Sequence, residues 1–493
     1  MAKLTVRLQA LVWPMGVFAL ALLLRLVDLG SRPFWLDEIF TYNRASLSPA
    51  ALVLNSFQNH HMPGFFLLLS PLTHLPHPEF WLRLPSAIFG ALAVVLVFLI
   101  ATRVTNRLAG VMAGLILAFS PTMLGFAQEA RSYTLVMTLI LVALYGVTRL
   151  AQNWQDNKTG WLCYVLGTAA ALDILGDSLP WLIAATLIFA VLMVYTPERK
   201  RLLRAILIAD AVILALTLPF YLLLLHFQTQ SVSTSLGWIP PLSLARIWYN
   251  FGAVYLMHLP DWVSFRLLTH EAIPGVVWLV DVLLLCALGA GIWRLRRQPT
   301  MLFTQLLAFL FLPCLFLLIS LAHPILLPRY LLWSAAPFAI LAGVGSASLI
   351  SFIPRRAGRF VAVSGVAVLL LLNLLPYYKT ELKPRWDVAA QLLSQEVKSG
   401  DMVIFSDNGV LPILQLYLPA GTQTTILGTP NASIPDLQQA LRHGHSVWVV
   451  YGHAGQSTST RKAFFAGLQQ LGAPAQMQKA GKRITIALYQ PDH

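Results

Sequence analysis

Residues 86–104 read SAIFGALAVVLVFLIATRV, an apolar run in which Arg103 is the only charge. About 20 such residues in a helix cross the hydrocarbon core of a bilayer, so this stretch predicts a transmembrane helix. Working outward, comparable runs lie near 9–27, 108–125, 133–150, 161–176, 180–196, 205–223, 273–292, 301–321, 330–350 and 360–376. Together they predict an α-helical polytopic membrane protein with about eleven transmembrane helices.

The composition of the 493 residues agrees, with 57% hydrophobic and 11% charged. Soluble domains carry about 25% charged residues, so a soluble enzyme, a disordered regulator and a secreted disulfide scaffold are excluded. A net charge of +14 suggests nucleic acid at first sight. The basic residues, however, cluster in the short links between apolar runs: Arg103/Arg107, Arg199/Lys200/Arg201/Arg204, Arg294/Arg296/Arg297 and Arg355/Arg356/Arg359. That is the positive-inside pattern, and no nucleic-acid partner is expected. Cys163, Cys286 and Cys314 fall in apolar runs without CxxC spacing, which offers neither a disulfide framework nor a metal knuckle.

Lys3 and Arg7 precede the first run like the n-region of a signal peptide. The run continues past Leu20 without a convincing cleavage site and reads as an uncleaved anchor. An N-terminus inside the cell then places every basic cluster in the cytoplasm, and eleven spans put the C-terminus outside. Residues 28–85 and 224–272 become long extracytoplasmic loops. In the first, HMPGFFLLLSPLTHL is too short and too proline-rich to cross and reads as an interfacial or re-entrant helix. In the second, SLARIWYNFGAVYL reads as a helix lying on the surface.

After about residue 377 the composition changes. Strand-like runs at 402–406, 424–428, 447–452 and 483–489 alternate with helix-like LPILQLYL, IPDLQQALRHG and TRKAFFAGLQQLG. This predicts an extracytoplasmic α/β domain over 377–493, after a transmembrane domain over 1–376.

Charges near a bilayer are costly, so those outside the basic links carry the chemistry. RLVDLGSRPFWLDEIFTYNR places Asp37 and Glu38 side by side soon after the first membrane exit, flanked by Phe34, Trp35, Leu36, Ile39 and Phe40. A solvated pair at a helix start explains them about as well as a pair tuned for chemistry by apolar company. In GFAQEARSYTL, Glu129 and Arg131 stand at a membrane boundary, either as an ion pair fixing a helix end or as site residues. Arg329 and Tyr330, in AHPILLPRYLLW, sit at a non-cytoplasmic mouth, where a lone arginine opposes the positive-inside trend and calls for an anionic partner. His61 in NHHMPGFF is an interfacial aromatic or a site residue. No DxD, Ser/His/Asp order or HExxH occurs. Group transfer from a lipid-linked phosphate remains, with a carboxylate as base and arginines on the phosphate.

WLDE, HMPGFFLLL, QEARSYTL, WIPP and PRYLL, in that order, resemble the pattern of bacterial GT-C glycosyltransferases related to protein O-mannosyltransferases and the lipid A aminoarabinose transferases. The resemblance covers nearly the whole membrane part, and KPRWDVAAQLL at 383–393 resembles the family's passage into its periplasmic domain. It implies a GT-C fold in the bacterial inner membrane. It also implies inverting transfer of a sugar from a polyprenyl-phosphate donor to a lipid A, other glycan or protein acceptor. Asp37 matches the catalytic carboxylate and Glu38 its neighbour. Arg131, Arg329 and Tyr330 match donor-phosphate positions, while His61, Glu129 and Tyr133 match other cavity positions. Where many relatives carry a Tyr-Thr-His-like stretch, this chain has ALDILGDSLPW, leaving Asp173 or Asp177 as substitutes. A divalent metal ion is left open, because hard cations want more oxygen ligands than two adjacent carboxylates supply. Transport of a lipid-linked saccharide is the main alternative, though no paired halves with interrupted spans are evident. A glycan ligase or polymerase using a polyprenyl diphosphate is the third reading.

Overall fold

The computed structural model describes residues 2–228, 239–398, 401–405, 416–417, 425–427, 434–451 and 466–491. The chain divides into two compact units. The first comprises Met1–Leu29, Arg44–Pro260 and Arg266–Lys379; the second comprises Gly30–Asn43, Asp261–Phe265 and Thr380–His493.

The first unit is helical. Its elements are α1 (Ala2–Leu26), α3 (Pro49–Gln58), α4 (Gly64–Leu69), α5 (Pro78–Val104), α6 (Arg107–Ala118), α7 (Pro121–Ala127), α8 (Tyr133–Gln152), α9 (Lys158–Ile174), α10 (Leu179–Val194), α11 (Arg199–Phe227), α12 (Leu244–Val254), α13 (Val276–Leu295), α14 (Pro299–Ser320), α15 (Pro328–Leu331), α16 (Ala335–Ser351) and α17 (Arg356–Lys379). A helix α2 (Leu36–Ala45) lies in the first expected loop. The runs read as spans are helical, but 108–125 is divided between α6 and α7, and 330–350 between α15 and α16 with a 3₁₀ turn, Leu332–Ser334, between them. Among the described residues, six of these helices and the stretch Pro328–Ser351, which joins α15 to α16, are long and apolar enough to cross a membrane, and α6 with α7 makes an eighth if that pair, bent by 67°, is one span. The apolar parts of α1, α9 and α10 are shorter.

The α6–α7 bend has a local cause. Ser120 caps α7, accepting a hydrogen bond from the Met123 N–H, and Pro121 supplies a first helical residue without an N–H. Polar side chains then tie helix ends together. Gln128 donates to the Arg25 and Val27 carbonyls at 2.9 and 2.7 Å and accepts from the Tyr377 hydroxyl at 2.8 Å. Thr134 and Thr138 donate to the Ser86 and Phe89 carbonyls, joining α8 to α5. Where apolar packing gains nothing over lipid, such bonds and close backbone approach hold helices together. The approach is closest between α13 and α16, where a Cβ on Gly345 would collide with the Ala287 carbonyl and one on Gly291 with the Leu341 carbonyl.

The expected re-entrant segment is short: α4 is followed by a single 3₁₀ turn, Ser70–Leu72. The surface helix in the second loop is α12, with Tyr249, Asn250, Gly252, Ala253 and Val254 buried along one side. Trp238 of the WIPP motif lies outside the described residues.

The second unit holds a five-stranded sheet. Its strands are β1 (Met402–Phe405), β2 (Thr425–Leu427), β3 (Val447–Tyr451), β4 (Gln476–Ala480) and β5 (Ile484–Tyr489), in the order β2-β1-β3-β5-β4. β1 pairs parallel with β2 and β3, and β5 pairs antiparallel with β3 and β4. VWVVY in β3 is buried over four consecutive residues, as a central strand covered on both faces requires. Helices α18 (Trp386–Glu396) and α19 (Ile434–Arg442) complete the described part, and Leu437 of α19 joins Ile404, Val447, Val449 and Ala487 in the core. Four strands fall where the sequence places them; β4, QMQKA, was not expected. It is an edge strand with mostly exposed side chains, so it has no apolar alternation to read. Most of LPILQLYL and the start of TRKAFFAGLQQLG lie outside the described residues.

Candidate functional site

Asp37 and Glu38 open α2 in the second unit. The Trp35 carbonyl accepts from the Glu38 and Ile39 N–H groups, which places both carboxylates in the first turn, where the helix dipole favours negative charge. Successive helical residues point about 100° apart, so the two adjacent acids face different surroundings. Glu38 is fully buried. Its Oε2 ion-pairs with Lys383 Nζ at 2.9 Å and accepts a long bond from the Trp35 N–H at 3.4 Å, the backward half of a capping box. Lys383 also lies over the Trp35 ring, 5.7 Å from its centroid. Asp37 is half-buried, and its carbonyl accepts from the Thr41 hydroxyl at 3.0 Å. Lys383 was overlooked in the sequence; its signal was the KPRW stretch, more than 300 residues away.

In the first unit, Tyr133 opens α8 and gathers the arginines. Arg329 Nη1 donates to its hydroxyl at 3.2 Å, with the guanidinium 5.9 Å from the ring centroid; that of Arg131 lies 5.6 Å from the same ring. Phe126 braces Tyr133 edge-on at 5.3 Å. The chain around Arg131 is fixed, because Ser86 donates to the Arg131 carbonyl at 3.0 Å and the Arg131 N–H to the Glu129 carbonyl at 2.8 Å. Glu129 itself is buried. Tyr330 stacks on Phe316 with centroids 5.5 Å apart. Tyr133, Arg329, Tyr330, Phe316, Leu175 and Trp333 line a small cavity that is mostly apolar, with a guanidinium and phenol hydroxyls as its polar groups. A cation within an apolar wall suits an anionic headgroup on a hydrocarbon chain.

His61 meets the edge of Phe66, centroids 5.8 Å apart, and the Arg44 guanidinium covers Phe66 at 4.7 Å. Arg44 Nε donates to Asn55 Oδ1 at 2.9 Å. Burial and then the like charge of Arg131 hold the Arg44 guanidinium down to about 10. Arg44 belongs to the first unit and was not singled out in the sequence, although it ends the WLDEIFTYNR stretch. The structure therefore groups Arg131, Tyr133, Arg329 and Tyr330, and it places His61 beside Phe66 and Arg44. Asp173 stands half-buried in the last turn of α9, which abuts α4: a Cβ on Gly64 would come 2.7 Å from Ile174 Cδ1. The side chain of Asp177 lies outside the described residues. Among the described residues, no three His, Cys, Asp or Glu side chains converge as a metal site.

The first unit is thus a bundle of apolar helices in which two guanidiniums meet on Tyr133, and one of them, that of Arg329, lines a mostly apolar cavity. The family description of dolichyl-phosphate-mannose-protein mannosyltransferases matches residues 60–224. The chain is 28% identical, over 96% of its length and 84% of the relative's, to undecaprenyl phosphate-alpha-4-amino-4-deoxy-L-arabinose arabinosyl transferase 2 of Pseudomonas fluorescens. Its fold matches that of ArnT from Cupriavidus metallidurans in the apo state with a TM-score of 0.61, at 14% identity and 98% coverage of both chains. The oligosaccharyltransferase AglB from Archaeoglobus fulgidus matches with a TM-score of 0.53, at 13% identity, over 89% of this chain and 69% of its own. In sequence the chain is similar to glycosyltransferases that use a lipid-linked phosphate, and it shares the fold of ArnT. The similarity to the Pseudomonas fluorescens transferase runs over nearly the full length of the chain.

Proposed function

We propose that this protein is an inverting glycosyltransferase that takes a sugar from a polyprenyl-phosphate carrier and places it on an extracytoplasmic acceptor. The observation that carries the reading is the pair of guanidiniums, Arg131 and Arg329, gathered on Tyr133 beside an apolar cavity. Guanidiniums match phosphate oxygens bidentately, and the apolar wall suits the prenyl chain. In this reading Arg131, Arg329 and Tyr330 hold the donor phosphate, and His61, Glu129 and Tyr133 shape the sugar's surroundings.

Asp37 is the general base. The acceptor hydroxyl attacks the anomeric carbon and gives its proton to the Asp37 carboxylate. The bond from that carbon to the phosphate oxygen breaks, and its electron pair stays with the phosphate. Single displacement inverts the anomeric centre, and a carboxylate near an oxocarbenium-like centre stabilises it. Glu38, bound to Lys383, is a positioning residue that holds the first turn of α2.

The topology we propose sets the N-terminus in the cytoplasm and residues 377–493 outside the inner membrane. There the second domain helps choose the acceptor. The relative's name points to an amino-pentose on undecaprenyl phosphate as the donor class and lipid A as the first acceptor to try. Mass spectrometry of envelope lipids and glycoproteins, with and without the protein, tests this reading. A sugar missing from an otherwise intact acceptor supports transfer. Accumulation of the sugar-loaded carrier on the cytoplasmic side supports a flippase and overturns it.

A further inference from the structure

The segment Gly30–Asn43 belongs to one compact unit with Thr380–His493, so the start of the first loop packs with the C-terminal domain. Two side chains of that domain reach it. The Tyr417 hydroxyl accepts the Phe34 N–H, and Lys383 Nζ meets Glu38 Oε2 at 2.9 Å while lying over the Trp35 ring. Phe34 and Glu38 are fully buried and Ile39 nearly so, and the Phe34 ring lies 6.2 Å from that of Tyr42. Asp37 stands between these two anchors, three residues after Phe34 and one before Glu38.

The anchors fall on groups that helix geometry leaves open. N–H groups at the start of a helix have no partner within it. Glu38 itself takes the Trp35 N–H, and Tyr417 takes the Phe34 N–H, one residue further out. With the backbone held at Phe34 and a side chain held at Glu38, the first turn of α2 is fixed on both sides of Asp37. A general base works only within hydrogen-bond reach of the proton it takes, and a misplacement of about 1 Å can cost about 10²-fold in rate. We infer that Tyr417 and Lys383 of the C-terminal domain are positioning residues for Asp37, so that this domain serves the chemical step as well as the choice of acceptor. The inference rests on the reading of Asp37 as the general base.

The test leads with Tyr417→Phe, because removing Lys383 strips a buried carboxylate of its cation and endangers folding. Full-length protein in detergent is given undecaprenyl phosphate-linked 4-amino-4-deoxy-L-arabinose and lipid A. Tyr417→Phe keeps the ring and loses the hydroxyl, and should lower the single-turnover rate about twofold to tenfold, the worth of one hydrogen bond, with both KM values unchanged. In the Asp37→Asn protein the same substitution should cost nothing further, since a residue that acts through the base has nothing left to position. Lys383→Arg keeps the cation and should retain part of the rate. Hydrogen exchange needs no substrate. In Tyr417→Phe the Glu38 and Ile39 amides, which donate to the Trp35 carbonyl, should exchange about twofold to tenfold faster, with strand β3 unchanged. Gln478→Ala removes a 3.0 Å bond to Glu396 within the same domain and should leave both readouts at wild type.

An equal fall from Tyr417→Phe with and without Asp37 would show that the hydroxyl acts elsewhere and overturn the inference. So would a change confined to the acceptor's KM, which leaves the domain to acceptor choice alone. A loss from Gln478→Ala as large as that from Tyr417→Phe would reduce the effect to domain stability and overturn it too. Wild-type turnover by Asp37→Asn defeats the base reading and this inference with it, whereas unchanged exchange at Glu38 and Ile39 defeats this inference alone.

Discussion

Glu38 Oε2 lies 2.9 Å from Lys383 Nζ, with Glu38 fully buried and Lys383 one-tenth exposed. This contact joins the first turn of α2 to the segment leading into α18, across 345 residues of chain. A buried charge left without its partner is far costlier than a pair removed together. Lys383→Met should therefore destabilise the protein by about 3–5 kcal/mol, and Glu38→Gln/Lys383→Met should recover most of it. Thermal unfolding in detergent, followed through the double-mutant cycle, measures the coupling. Additive losses would show that the two residues act independently.

The α13–α16 crossing depends on two glycines. A Cβ on Gly345 would enter the space of the Ala287 carbonyl, a backbone atom that no rotamer change can clear. Gly345→Ala should therefore reduce the folded yield sharply or lower the melting temperature. Gly365→Ala, on α17 with open space around it, should be neutral or slightly stabilising, because alanine is the better helix former by about 1 kcal/mol. Fluorescence-detected size exclusion of the two variants distinguishes a close crossing from a general intolerance of alanine.

Much of this architecture was legible because a membrane imposes a simple code. Residues 86–104 announce a span by length and apolarity alone, and strands such as VWVVY at 447–451 announce a covered sheet. The edge strand 476–480 carried no such signal, since its side chains face water. The site was legible only residue by residue. Arg131 and Arg329 stood out because cations are unusual at those membrane boundaries, but their meeting on Tyr133, 196 positions from Arg329 by the hydrogen bond, is a matter of helix packing. Lys383 and Arg44 sit in short motifs whose other residues drew the eye. Their partners, Glu38 and Asn55, are set by tertiary contacts that local sequence does not encode.

Asp261 and Arg483 form a 2.9 Å ion pair in the second unit, and Asp261 also accepts from the Val263 and Ser264 N–H groups. Burial alone would raise the Asp261 carboxyl, but these donors together hold it below the usual carboxylate range. A depressed folded-state value means that this stabilisation is present above the unfolded value, about 3.9, and is lost as pH falls through the folded one. Melting temperature should thus decline below about pH 4 more steeply in wild type than in Asp261→Asn. Parallel acid-limb curves for the two proteins would contradict this assignment.

Arg329 donates to the Tyr133 hydroxyl while facing the apolar cavity. Arg329→Ala should weaken undecaprenyl-phosphate binding by about 1.5–3 kcal/mol, roughly tenfold to hundredfold, with less effect on acceptor affinity. Tyr133→Phe keeps the ring against both guanidiniums and removes one neutral acceptor, so its loss should be smaller. Titration of the lipid into each purified protein ranks them. Wild-type affinity in Arg329→Ala would assign this arginine to structure instead.

Asp37 stands in the first turn of α2 beside a Glu38 already engaged by Lys383. In the proposed reaction Glu38 holds the first turn of α2 and Asp37 takes the acceptor's proton. Asp37→Asn is nearly isosteric and keeps an oxygen, but an amide cannot take the acceptor's proton. Turnover should fall by about 10²–10⁴, the range attributable to general-base catalysis, with donor and acceptor binding nearly unchanged. The substitution removes one negative charge from the start of a helix, which costs about 0.3–1 kcal/mol, so folding and membrane insertion should survive. Asp37→Glu, which retains the base but displaces it, should keep part of the activity. Single-turnover assays on detergent-purified protein saturated with sugar-loaded carrier isolate the chemical step from product release. Wild-type rates in Asp37→Asn under those conditions would remove Asp37 from the mechanism. Activity lost in proportion to donor affinity would instead make it a binding residue.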